Sequence, residues 1–303
     1  MSGPETKAEG TPMSIGTGFT GMTVEVARTV DALRVRTKSW RRAGETIALV
    51  PTMGALHAGH VELIRQGRAR ADRVVVSIFV NPKQFGPRED FSVYPRRELE
   101  DLKVLTEEGV DLAWIPSVDV VYPAGFDTAI HVGALAQSME GASRPGFFDG
   151  VATVVGKLFT QVAPDYAMFG EKDYQQLLVV TRMAADLDLP LEVVPVETVR
   201  EPDGLALSSR NIYLSDAHRA LAPELRATML KMARRLADGV SQPQAEIAWG
   251  TDRLLSLGFE QVDYLDVRDP WTLLPVESTG KPARILAAVK LGETRLIDNL
   301  AVA

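Results

Sequence analysis

Over its first two thirds the chain alternates short apolar runs with amphipathic stretches, and no other feature restricts its fold as much. TIALVP (46–51) ends at Pro and Gly, a helical pattern follows from about 59 to 71, and VVVSIFV (74–80) is rich in β-branched side chains. Those three segments make one strand–helix–strand unit. Helical patterns at about 97–108, 150–162 and 174–187, with the runs DLAWIP, YAMFG and LEVVPV, continue the rhythm. Ahead of them, TVEVARTVDALRVRTKSWRRAG has Val26, Val30, Leu33 and Val35 near helical spacing and stops at Gly44, which predicts a helix from about residue 23. Apolar strands joined by crossover helices imply a parallel sheet covered on both faces. Ligands of such α/β sheets bind beyond the carboxyl ends of the strands, so those segments carry the functional search.

The rhythm changes after about residue 200. A long helix is expected at 216–237 and a second at 243–257, followed by strands near 262–267, 283–289 and 294–300. Helices followed by strands suggest a smaller α+β domain, so the expected division is 23–199 and 200–303. The first 22 residues are rich in Gly, Thr, Ser and Pro and have neither a basic n-region nor an apolar h-region. They are expected to be a disordered tail (1–22). With 33 Lys+Arg against 40 Asp+Glu the net charge is −7, which argues against a nucleic-acid partner but leaves room for a local anion site. The chain has no cysteine, which excludes disulfides, thiolate catalysis and Cys-ligated zinc and fits a cytoplasmic location. The longest strongly apolar run, 74–80, is far short of the ~20 residues that cross a bilayer, so no membrane partner is expected.

Four segments at strand or hairpin ends concentrate chemistry. In PTMGALHAGH, Gly54 permits close backbone approach, and His57 and His60 stand three apart, on one face of a helix, where they can aim at the same phosphate. A metal pair or two structural histidines are the alternatives. His131 and His218 read as structural or surface residues. In VNPKQFG, the neutral amides of Asn81 and Gln84 suit hydroxyls or a carboxylate of a small ligand, although Asn81-Pro82 also forms a turn unaided. The segment 86–97 after it is either a lid or a long connection. In FGEKDYQQ, Gly170 lets a flat ring approach, Lys172 can neutralise phosphate, Asp173 can accept ribose hydroxyls, and Gln176 starts a helix. In VREPDGLALSSRN, a hairpin through Pro202-Asp203-Gly204 leads to Ser208, Ser209 and Arg210, which form either a phosphate cradle or a helix cap.

PTMGALHxGH, SIFVNPxQFG, YPR, RPGxF, GEKDYQQ, DGLAxSSRN and the terminal RLIDN, in that order from about residue 24, together resemble the pantothenate synthetase (pantoate:β-alanine ligase) family. The resemblance implies a two-domain homodimer whose first domain is a Rossmann-like, doubly wound sheet like that of the nucleotidylyltransferases, with a smaller C-terminal α+β domain. It implies condensation of pantoate with β-alanine using ATP and Mg²⁺, through a pantoyl adenylate, with release of AMP and pyrophosphate. Carried over by position, the ATP contacts fall on Pro51, Thr52, Met53, Gly54, Ala55, Leu56, His57, Ala58, Gly59 and His60, on Gly170, Glu171, Lys172 and Asp173, and on Val199, Leu207, Ser208, Ser209 and Arg210. His57, His60, Lys172 and Arg210 are the expected catalytic set, with His60 as the family's proton donor. Gln84 and Gln176 match the pantoate-binding glutamines, and Gln84 also serves β-alanine. Ala58 stands where an acidic residue is frequent, Leu207 replaces the usual Met, and Phe147 replaces the His of RPGHF, which removes a polar contact.

The chemistry implied here needs positive charge around phosphorus, and His57, His60, Lys172, Arg210 and Mg²⁺ are expected to supply it. Glu100 and Asp101 read either as ligands of the metal or as a solvated helix face.

Overall fold

The computed structural model describes residues 23–86, 90–278 and 280–302. The tail at 1–22 and part of the 86–97 segment lie outside the described residues. Six strands form one sheet: β1 (Glu25–Ala27), β2 (Ile47–Thr52), β3 (Arg73–Ile78), β4 (Leu112–Trp114), β5 (Tyr166–Gly170) and β6 (Glu192–Val196). All pairings are parallel and the order is β1-β4-β3-β2-β5-β6. The connections are α1 (Val30–Arg42), α2 (Ala58–Arg68), α3 (Glu98–Glu107), the short α4 (Val118–Val121) and α5 (Glu140–Ser143), α6 (Phe147–Val162) and α7 (Tyr174–Asp186). From β2 the chain runs outward to β3 and β4, then returns to place β5 on the other side, so the ends of β2 and β5 frame the switch point.

The apolar runs fill both faces because side chains alternate along a strand. Ile47, Leu49, Val75, Leu112 and Trp114 face one core with α1, α6 and α7. Ala48, Val50, Val74, Val76 and Ala113 face the opposite core with α2 and α3. A separate core builds the C-terminal part, where α8 (Asp216–Leu221), α9 (Glu224–Ala237) and α10 (Pro243–Leu257) pack on an antiparallel sheet of β7 (Gln261–Arg268), β8 (Ala283–Leu291) and β9 (Thr294–Val302). Leu225, Met229, Met232 and Leu254 meet Ile285, Ala287 and Val289 there. No described helix is long and apolar enough to cross a membrane.

The structure corrects three expectations. The helix expected from residue 23 begins only at Val30, and Glu25–Ala27 is an edge strand paired with β4. Thr29 ends the strand and starts the helix by accepting the Ala32 amide at 3.2 Å. The helix expected at 216–237 is two helices, because Pro223 has no N–H to continue the first. The helix expected at about 150–162 begins at Phe147, just after Gly146 at φ +82°.

Candidate functional site

The loop from β2 to α2 is braced from behind. Gly54 has φ +83°, and a Cβ there would lie 2.9 Å from an Asp101 carboxylate oxygen, so only glycine fits this turn. Asp101, on the first turn of α3 and 3% exposed, accepts the Ala55 amide at 3.0 Å and the Leu56 amide at 2.8 Å. Burial raises its carboxyl pKa, and the two amides oppose that shift. Glu100 beside it is exposed on the other face of the helix. The expected metal pair is therefore one loop brace and one solvated residue, and these two side chains do not fit a magnesium seat. Among the described residues, no group of three or more His, Cys, Asp or Glu could hold a metal.

His57 caps α2: its Nδ1 accepts the Gly59 amide at 3.1 Å, and the His60 Nδ1 accepts the His57 amide at 3.3 Å. The two rings lie 4.1 Å apart. A Cβ on Gly59 would come within 2.9 Å of the His57 ring, so this glycine lets the imidazole lie over the helix start. Burial first, then the nearby Lys172 ammonium, pushes His57 down from 6.5 to about 4. Burial, His57 and Lys172 push His60 down to about 3. Both rings are neutral at neutral pH, and with Nδ1 accepting, the proton sits on Nε2. This corrects the expectation that they contribute positive charge: in the free protein they present N–H donors.

Beyond β3, Asn81 is 1% exposed, and its amide is spent within the protein. It donates to the Gln84 Oε1 and the Gly150 carbonyl, both at 3.1 Å, and accepts from the Tyr122 hydroxyl at 2.8 Å. Asn81 therefore holds the turn from the cavity wall, where Gln84 also lies, with its Nε2 3.1 Å from Met53 Sδ. The two glutamines of GEKDYQQ face different ways. Gln175 is buried and donates to the Leu135 and Ser138 carbonyls, and Gln176 reaches the cavity.

Lys172 and Asp173 lie on a 3₁₀ turn after β5, with Nζ 3.6 Å from the Asp173 carboxylate. Asn299 of β9 holds that turn, donating to the Glu171 and Lys172 carbonyls at 2.7 and 3.0 Å. Glu171 faces away, toward Arg284 at 3.5 Å. The expected hairpin is present: Arg200 pairs with Ala206, and the Leu207 amide donates to the Val199 carbonyl at 3.0 Å. Arg200 anchors it to β9 through a two-pronged ion pair with Asp298 at 2.7 and 2.8 Å. Ser208 caps the next 3₁₀ turn, and Ser209 lies 3.3 Å from the Tyr94 hydroxyl.

These segments converge on a cavity of about 240 Å³. Of the expected residues, Pro51, Thr52, Met53, His57, Gly59, His60, Gln84, Gly170, Lys172, Asp173, Gln176, Val199 and Leu207 to Arg210 line it. Gly54, Ala55, Leu56, Ala58 and Glu171 do not: Ala58 is exposed at the start of α2, and the others shape or anchor the loops. Asn81, Tyr94, Arg144, Glu197 and Thr198 also line it; Tyr94 and Arg144 stand inside YPR and RPGxF, and nothing in the sequence marks Glu197 or Thr198. Phe147 lines it too, with the Arg144 guanidinium 3.7 Å above its ring. A cleft of about 560 Å³ adjoins it between the two sheets and shares Lys172, Asp173, Ser208 and Arg210.

The sequence profile of the family described as Pantoate-beta-alanine ligase matches residues 25–301. The pantothenate synthetase of Paramagnetospirillum magneticum is 50% identical over 279 residues, covering 92% of this chain and 98% of its own. A crystal structure of pantothenate synthetase from Thermus thermophilus superposes with a TM-score of 0.86 at 47% identity, over 92% of this chain and 99% of that one. The pantoate-beta-alanine ligase of Francisella tularensis, solved with β-γ ATP and β-alanine, gives a TM-score of 0.78 at 31% identity, over 92% and 98% of the two chains. The chain therefore belongs to the pantoate-beta-alanine ligase family, and the reaction it serves is the joining of pantoate to β-alanine.

Proposed function

We propose that the chain carries out this ATP-dependent ligation in two steps within the cavity at the ends of β2, β3, β5 and β6. A pantoate carboxylate oxygen attacks the α-phosphorus of ATP, the bond to the bridging oxygen breaks, and pyrophosphate leaves. The β-alanine amine then attacks the carbonyl carbon of the mixed anhydride. AMP leaves with the former carboxylate oxygen, and the amine gives up its proton to solvent. The observation that carries this reading is one cavity that holds two neutral glutamines beside two N–H-donating histidines, a lysine and a Ser-Ser-Arg turn.

Each side chain has a role that fits its environment. Lys172 and Arg210 bring the fixed positive charge for the phosphates, and His57 and His60 add Nε2–H donors aimed at the transferring group. Ser208 and Ser209 add hydroxyls. Gly170, Val199 and Leu207 offer backbone to the nucleotide, and Asp173 suits the ribose. Gln84 and Gln176 hold the hydroxyl and carboxylate of pantoate without neutralising the nucleophilic oxygen. Mg²⁺ enters on the ATP phosphates as part of the substrate. The division into 23–199 and 200–303, supported by their separate cores, belongs to the same proposal, as do a homodimer and a cytoplasmic location.

The test is to incubate the protein with ATP, Mg²⁺, pantoate and β-alanine and identify the amide product by mass spectrometry. Pyrophosphate is expected with ATP and pantoate alone, and ¹⁸O from the pantoate carboxylate is expected in AMP after β-alanine is added. Absence of both pyrophosphate and label would reject the adenylate route.

A further inference from the structure

Among the groups that the reaction scheme leaves unused, one carboxylate is surrounded by cations from both halves of the molecule. Glu140, on α5, is 7% exposed. Its Oε1 accepts from Arg144 at 3.2 Å, one turn along the chain, and from Arg295 of β9 at 2.8 Å. Its Oε2 accepts from the Tyr264 hydroxyl of β7 at 3.2 Å. Arg295 is itself fixed on the far side by Asp263, 2.6 Å from its Nε. Arg144 spends its other terminal nitrogen on the Gln84 carbonyl at 3.0 Å, and its guanidinium covers the Phe147 ring.

The result is a chain of alternating charge, Asp263–Arg295–Glu140–Arg144, that starts in the C-terminal sheet and ends on the backbone of the glutamine that faces pantoate. Every member is at least two-thirds buried, so each depends on its neighbours to offset the cost of leaving water. A shift of β9 relative to α5 cannot leave Arg144 as it is, because Glu140 would exchange partners. The Ser208–Arg210 turn, assigned above to the phosphates, belongs to the same C-terminal half, tied to β9 through Arg200 and Asp298.

We propose that Glu140 is a positioning residue that couples nucleotide binding to pantoate binding. It transmits the seating of the C-terminal sheet through Arg144 to Gln84. The inference rests on the assignment of Gln84 to pantoate. By linkage, pantoate tightens nucleotide binding by the same factor that nucleotide tightens pantoate.

The experiment is a binding cycle by calorimetry. The pantoate Kd is measured with and without a non-hydrolysable α,β-methylene ATP, for the wild type, Glu140→Gln, Arg295→Met, Arg295→Lys and Tyr264→Phe. The wild type is expected to show about 5-fold or greater tightening of pantoate by nucleotide. Glu140→Gln and Arg295→Met are expected to bring that ratio to within about twofold of unity, Arg295→Lys to keep part of it, and Tyr264→Phe to reduce it least. In turnover the two disabling variants should raise the KM for pantoate more than they change kcat. Should Glu140→Gln fail to fold, Arg295→Met and Tyr264→Phe still decide the matter. A ratio unchanged in the folded variants, a wild type without tightening, or equal weakening with and without nucleotide would overturn the proposal. If the wild type forms pantothenate in any of those cases, only the coupling falls. If it forms no product and binds no pantoate, the functional reading falls instead.

Discussion

At the scale of single residues, the two imidazoles show how position sets chemistry. A histidine that is neutral in the folded site and ordinary in the unfolded chain has a depressed folded pKa. The unfolded state therefore binds more protons between about 4 and 6.5 for His57, and between about 3 and 6.5 for His60. Stability contributed by keeping them neutral is present above 6.5 and is lost as pH falls through that window. In His57→Asn, where asparagine can still cap α2, the drop in Tm between neutral pH and pH ~4.5 should be smaller than in the wild type. An equal drop would show that the imidazole is not desolvated as described. His60→Ala and Lys172→Ala should each fold and yet slow pyrophosphate formation by ~10² or more, the scale of losing one charge-stabilising donor. An unaltered first step in either variant would remove that residue from the mechanism. Gln84→Ala and Gln176→Ala should raise the pantoate KM by roughly 5- to 150-fold, the worth of one buried hydrogen bond. ATP binding without pantoate should change by less than about threefold. Collapse of ATP binding with normal pantoate saturation would reverse the assignment. The motif residues were legible at this scale because each follows a strand end. The sequence offered the turn at Asn81 but could not show that Asp101 is a brace, since a carboxylate looks the same whether it faces a ligand or a backbone amide.

At the scale of elements, glycines decide how closely two segments meet. Gly150 sits in α6 where a Cβ would lie 2.1 Å from the Lys83 carbonyl, so that residue alone lets the 3₁₀ turn Pro82–Gln84 rest on the helix. Gly150→Ala must displace the turn, because the helix backbone cannot yield. The expected result is a stability loss of about 1 to 3 kcal/mol by denaturant titration, with a raised pantoate KM and unchanged ATP affinity. Normal pantoate kinetics would mean that Gln84 does not depend on its seat against α6. The long strands and helices were readable because their apolar period repeats several times. Glu25–Ala27 was not, since three residues carry no period, and its neighbours favour the helix that follows. The split at Pro223 went unread because the apolar spacing continues across it while the missing N–H interrupts the hydrogen bonding. The stretch from Ser117 to Gly146 shows no period in the sequence, since its α-helices, four residues each, are held by tertiary contacts such as those of Gln175.

At the scale of the whole molecule, the C-terminal sheet holds one loop of the first half and the hairpin, both of which line the cavity. The terminal RLIDN motif does this work: Asn299 holds the Lys172 turn from its carbonyls, and Asp298 holds the hairpin through Arg200. The sequence showed the motif but not its partners, more than ninety positions away. Arg200 and Asp298 have side chains 16% and 4% exposed, so each is a charge that the other must compensate. Removing one partner strands a buried charge at a cost of about 3 to 5 kcal/mol, whereas replacing both with apolar residues of similar volume removes the desolvation cost as well. Asp298→Leu and Arg200→Met should each lower stability by that amount in denaturant titrations. The double variant should be markedly more stable than the sum of the two losses allows. Its hairpin would still lack the directional clamp, so pyrophosphate formation should stay depressed even where stability returns. Additive losses would show that the pair is not coupled, and full activity in the double variant would show that the hairpin finds its place without β9.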